Sequence, residues 1–149
     1  NPPKWSAGSV QKIHRRISAP LLDRIDLTID VQPVPIADLQ KKKNAPAGES
    51  TINILARVEA ARKRQQERFH GLSIRTNKEM NVRHLDTLCP LDDPSEKLLL
   101  QAVDRLGLSA RGYHRTIKVA RTIADLSGEE HILLAHIAEA LQYRQTIGE

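Results

Sequence analysis

Two hydrophobic spacings divide the chain. Between Ile25 and Val31, the apolar Ile25, Leu27, Ile29 and Val31 alternate with Asp26, Thr28 and Asp30, the period-2 pattern of a strand with one buried face. Pro33 and Pro35 end it. Beyond residue 50 the apolar period lengthens to that of helices. Residues 50–69 open on the capping candidates Ser50 and Thr51 and place Ile52, Leu55, Val58 and Ala61 on one side. Residues 81–89 form a short helix halted by Pro90. Residues 94–106 begin with Pro94-Ser95 and stop at Gly107, the usual N-terminal proline and C-terminal glycine asymmetry. Ser109 caps a helix that runs to Ser127 and closes at Gly128. A last helix covers 134–144. No internal repeat or heptad array is present.

The stretch between these two parts, residues 33–49, holds three prolines, a glycine and a lysine triplet, the composition of a solvated linker. Ahead of the alternating stretch, residues 1–17 are basic and read as a loop leading into a short helix. Ser18 and Pro20 then read as a helical turn.

The helix from 109 to 127 carries the most information. At 100° per residue, Tyr113, Ile117, Val119, Ala120, Ile123 and Ala124 share one arc, and Arg111, His114, Arg115, Lys118 and Arg121 share the other. The plainest account of the second arc is a solvated basic face. Arg111 resists it, because it lies two residues after the cap, where the positive end of the helix dipole disfavours a cation. Unsatisfied backbone N–H groups beside an arginine suit an anion.

Composition narrows the functional classes. Apolar residues at 40% and charged residues at 28% are the balance of a globular domain. Twenty-three Lys and Arg against eighteen Asp and Glu give a net charge of +5, which favours an anionic partner. Aromatic residues at 3% leave little for a base-stacking platform. The lone Cys89 allows no intramolecular disulfide and accords with a reducing cytoplasm. No apolar run approaches the ~20 residues that span a bilayer, and we expect no membrane association. Gly107 and Gly112 have phosphate-loop spacing, but Tyr113-His114 stand where Lys-Ser/Thr is needed. His131 and His136, five apart, share no helix face, so no metal site is expected. The residues by themselves define no self-contained active site.

"ISAPLLDRIDLTIDV" (17–31), "RVEAARKRQQERF" (57–69) and "LGLSARGYHRTIKVARTIADLSGEEHILLAHIAEALQYR" (106–144) together resemble the C-terminal portion of magnesium-chelatase-like AAA+ ATPases of the competence-protein branch. The resemblance covers nearly all of residues 10–144. It implies a mainly α fold, a helical lid bundle of about four to five helices preceded by one β-strand left from a truncated α/β core. Residues 1–33 would be the end of that core, 34–49 a flexible linker and 50–149 the lid. The arginine of PLLDRID, Arg24, would be the arginine finger directed at a neighbouring subunit's γ-phosphate. Arg111, in the Ser-x-Arg motif, would be the second sensor of that phosphate. Asn1, before Pro2, would be a remnant of the first sensor. "KWSAGS" lacks the cysteine-rich stretch that relatives often carry before PLLDRID.

The chain opens on "NPPKW" rather than Met, and we expect the phosphate loop and the acidic magnesium-binding motif to lie upstream of it. The resemblance then implies a cytoplasmic, ring-forming ATP hydrolase, a homo-oligomer and most simply a hexamer, using ATP and Mg²⁺ and moving along DNA during uptake and recombination. The chain alone is expected to bind no cofactor and hydrolyse no ATP. Lys63, Arg64 and Lys118 are the candidate DNA-contacting residues. Two other classes compete: a free-standing basic helical module that binds nucleic acid with a steep salt dependence, and a metal-chelatase motor subunit that moves no DNA. On charge alone, Arg24 would merely pair with Asp23 or Asp26.

Overall fold

The computed structural model describes residues 24–29, 31, 33, 34 and 48–144. The readings placed on Asn1, on the basic stretch 1–17, on the Ser18–Pro20 turn and on the lysine triplet lie outside them. Among the described residues five α-helices and one 3₁₀ turn follow one another: α1 (Thr51–Arg68), the 3₁₀ turn (Asn77–Glu79), α2 (Val82–Leu88), α3 (Asp93–Leu106), α4 (Ala110–Ser127) and α5 (Leu134–Gln142).

Local chemistry sets each boundary. Ser50, Asn81, Asp92 and Ser109 are extended residues whose side chains accept from the backbone N–H three positions on, at 3.3, 2.9, 2.9 and 3.0 Å. Each satisfies one of the donors that a helix start leaves open. His84 completes a capping box, its Nδ1 accepting from the Asn81 N–H at 3.2 Å. At the start of α5 the His136 Nδ1 accepts from the Leu133 N–H at 3.0 Å, half of such a box, since leucine has no side-chain acceptor to return the bond. α3 and α4 end on left-handed glycines, Gly107 (φ 60°) and Gly128 (φ 86°), where Leu108 N–H reaches Val103 and Glu129 N–H reaches Ala124.

α4 is the central helix, packed on α5, α1, α2 and the 3₁₀ turn, while α3 packs on α5. The core gathers Phe69, Met80, Leu85, Leu99, Ile117 and Ile137, with Ala120, Ala124 and Ala140 wholly buried among the helices. The small side chains on α4 and α5 let their backbones approach closely.

Three expectations change. Residues 25–29 and 31 include no strand among the described residues, for a strand exists only by pairing. Thr28 N–H instead donates to the Tyr143 carbonyl at 3.0 Å, which lays the segment across the end of α5. Its Ile25, Leu27, Ile29 and Val31 are all exposed to some degree rather than sharing a buried face. On α1, only Ala61 of the expected apolar side is buried; Ile52, Leu55 and Val58 are exposed because nothing described packs on residues 51–60. On α4, Arg121 leaves the basic face assigned to it and is 1% exposed.

Candidate functional site

Arg111 is the second residue of α4 and is exposed. The Ser109 hydroxyl caps the Gly112 N–H beside it. One turn along the helix, the Arg115 guanidinium pairs with Asp26 at 3.1 Å, both side chains partly exposed. Asp26 lies two residues after Arg24, which sits exposed in a turn. This ion pair ties the Arg24 segment to the same helix that carries Arg111, and the Thr28–Tyr143 hydrogen bond ties it to the end of α5. Asp26, one of the two local partners that charge alone suggests for Arg24, is thus engaged by Arg115; the other, Asp23, lies outside the described residues. The Asp26–Arg115 tie was not anticipated; the only sequence signal for it was a carboxylate next to Arg24 and a basic turn on α4.

The three basic residues selected from the sequence separate. Lys63 is exposed on α1. Arg64 is half-buried and donates through its guanidinium to the Asp125 carbonyl at 3.2 Å, closing the end of α4. Lys118 donates through Nζ to the Lys78 carbonyl at 3.0 Å. Burial pulls the Lys118 ammonium below its ordinary pKa against the opposing pull of Asp26. Two of the three therefore serve the fold as well as presenting charge.

A buried ionic cluster went unseen in the sequence. The Asp125 carboxylate, fully buried, accepts from Arg121 Nε (3.1 Å), Asn77 Nδ2 (2.8 Å) and both terminal nitrogens of Arg68. Burial alone would push this carboxyl up; the hydrogen bonds from Arg68 and Asn77 and the charges of Arg121 and Arg68 outweigh it and hold the pKa below the ordinary value. Arg121 also donates to the Glu129 and Glu130 carbonyls, both at 2.6 Å. α1, the 3₁₀ turn and α4 meet at this one carboxylate, and Arg121 carries the cluster on to the α4–α5 loop. Arg121 and Asp125 are four apart and so were a readable pair, but Arg68 and Asn77 come from 57 and 48 positions earlier.

Other reactive groups are structural. Cys89 is buried with its sulfur 3.9 Å from that of Met80, and burial pushes the thiol up to about 11. His136 serves as a helix cap. Gly107 ends one helix and Gly112 lies inside the next, so their spacing forms no phosphate loop. Among the described residues no group of three His, Cys, Asp or Glu converges as a metal site, and no helix is long and apolar enough to cross a membrane.

Residues 48–144 match the family described as magnesium chelatase, subunit ChlI C-terminal. Over 97% of its length the chain is 38% identical to competence protein ComM of Haemophilus influenzae, covering 27% of that protein. Over 87% it is 37% identical to the uncharacterised protein YifB of Escherichia coli, covering 24% of that one. The chain spans about a quarter of the length of the curated relatives it matches.

Proposed function

Since the chain belongs to the family of magnesium chelatase subunit ChlI C-terminal domains, we propose that it is the lid end of a ring-forming AAA+ ATPase that moves along DNA during uptake and recombination. Arg24 reaches across the subunit interface to the terminal phosphate of ATP, and Arg111 senses the same group from the lid. A guanidinium is always charged and offers a planar fork of donors matched to phosphate oxygens. ATP with Mg²⁺ supplies the phosphoryl group whose transfer drives the cycle; the residues of this chain contribute charge and position. The ring is a homo-oligomer, most simply a hexamer, working in the cytoplasm. Lys63, on the exposed basic side of α1, contacts DNA.

The observation that supports this reading is the tie of the Arg24 segment to α4 through Asp26–Arg115 and to the end of α5 through Thr28–Tyr143. With the Arg24 turn tethered through Asp26 to the helix that carries Arg111, a displacement sensed at Arg111 moves Arg24 as well, which is the coupling a ring motor needs between neighbouring sites. The test uses the full-length protein. Arg24→Ala abolishes ATP turnover, by ~10³-fold or more where such a finger acts, and leaves folding and ATP binding intact. Mixed with a phosphate-loop mutant it recovers part of the activity, because some interfaces then pair an intact loop with an intact finger. Co-assembled mixtures that stay inactive would place Arg24 within its own subunit's chemistry, and a fully active Arg24→Ala would leave it a surface charge.

A further inference from the structure

A groove runs over the surface of α4, on both sides of Thr122 and Leu126. One half, about 430 Å³, lies between α4, α5 and the 26–29 segment; the other, about 460 Å³, lies between α4, α1 and the 3₁₀ turn. Lys78, Thr122 and Leu126 line both halves, so the two adjoin across these residues. The walls are aliphatic, and several remain open to water: Val58, Leu126, Leu27 and Ile29 are 41%, 42%, 48% and 67% exposed. A contiguous apolar surface of this kind, rimmed by charge, is characteristic of an interaction site.

The rim is mostly cationic. Arg62, Lys78, Arg115 and Lys118 stand along it against Asp26 and Glu139. Both acids are engaged, Asp26 by Arg115 and Glu139 by the Tyr143 hydroxyl at 3.2 Å. The Lys118 ammonium has three protons, and the hydrogen bond to the Lys78 carbonyl uses one. Half-buried at the edge of an apolar wall, it gains more from an incoming anion than an exposed lysine would.

We propose that this groove docks an acidic peptide segment of a partner protein, with a bulky apolar side chain against Leu126 and Ile123 and carboxylates at Lys78, Lys118 and Arg62. The inference goes beyond the ATPase reading and uses neither Arg24 nor Arg111. Nucleic acid suits the groove poorly, because the walls are aliphatic and, among the described residues, Tyr143 is the only aromatic one lining either half. A second copy paired here by two-fold symmetry would set the same cationic rim against this one, and the ring contact proposed above runs through Arg24 and Arg111 instead.

The probe is the synthetic peptide Asp-Glu-Asp-Leu-Trp, labelled at its amino end and titrated into the intact chain by fluorescence anisotropy. Saturable binding is expected, weakened about tenfold both in Asn-Gln-Asn-Leu-Trp and in Asp-Glu-Asp-Ser-Ser, since charge and anchor each contribute. Lys78→Glu and Lys118→Met should each lower the affinity about fivefold or more. Lys78 is exposed, so its reversal leaves the fold in place, and unaltered circular dichroism confirms this. Amide shifts at Leu27, Val119, Ile123 and Leu126 should report the contact. Equal binding of the neutral peptide, no saturation, or indifference to both substitutions would overturn the proposal. So would an oligonucleotide that displaces the peptide and moves the same amides, or a dimer of the chain that the peptide dissociates.

Discussion

Asp125→Ala deletes the carboxylate at which α1, the 3₁₀ turn and α4 meet. It removes the acceptor for Arg68, Asn77 and the Nε of Arg121, and it strands Arg121, 2% exposed at its side chain, without its counter-ion. Breaking a buried ion pair on one side costs ~3–5 kcal/mol, mostly because the remaining charge stays buried. Against the ~5–15 kcal/mol that separates most native domains from their unfolded chains, that is a large share. At ~4–8 °C per kcal/mol for a small domain, the melting temperature should fall by more than ~12 °C. Urea and thermal unfolding followed by circular dichroism measure both. The pH dependence adds a signature. The folded-state pKa of Asp125 is lowered, so its contribution is complete above the unfolded carboxyl pKa of ~3.9 and is lost as pH falls through the folded value. The parent chain should therefore lose stability below about pH 4 faster than Asp125→Ala does. Replacing the triad together, as Arg68→Met, Arg121→Met and Asp125→Leu, should restore most of the loss, because no charge is then left buried. A loss under ~1 kcal/mol for Asp125→Ala, or identical acid limbs for parent and variant, would refute the reasoning.

Three further outcomes follow from individual residues. Gly107→Ala and Gly128→Ala each force an alanine into a left-handed conformation at a cost of ~1–2 kcal/mol; Gly128→Ala should cost more in urea unfolding, since its new Cβ would sit 3.2 Å from the Arg64 guanidinium. Ser109→Ala removes the α4 cap and should destabilise the chain by ~1 kcal/mol in the same assay, with Ser109→Asp close to neutral. The Cys89 thiol, buried and raised to about 11, should react with a disulfide reagent ~100-fold more slowly in the folded chain than in urea; comparable rates would mean that the core opens readily there.

Helix boundaries were legible because the residues that set them act within three or four positions. Ser50, Ser109, Gly107 and Gly128 could each be read for their role without knowing what packs nearby. Burial was less legible. Arg121 reads as one more cation on a basic face until Asp125, Arg68 and Asn77 are brought around it, and two of those come from other elements. The 25–31 alternation describes what a segment offers to a sheet, while the structure depends on whether a partner edge is there to receive it. For the site, Arg24 and Arg111 stood out through motif resemblance, with the unfavourable dipole position adding a physical reason for Arg111. The Asp26–Arg115 tie that relates them needed the fold.

The unequal burial of α1 divides one continuous helix into two thermodynamic regimes. From Ala61 onward, Ala61, Gln65 and Phe69 are buried and Arg68 is bonded into the Asp125 cluster, so opening this half requires disrupting the core. Residues 51–60 have no such anchor and are all exposed. A helical stretch of that length is marginal on its own; here the anchored half acts as its nucleus. Amide hydrogen exchange should therefore rise from the Ala61 turn towards Thr51, with α1 fraying from its free end while its root exchanges only with the rest of the core.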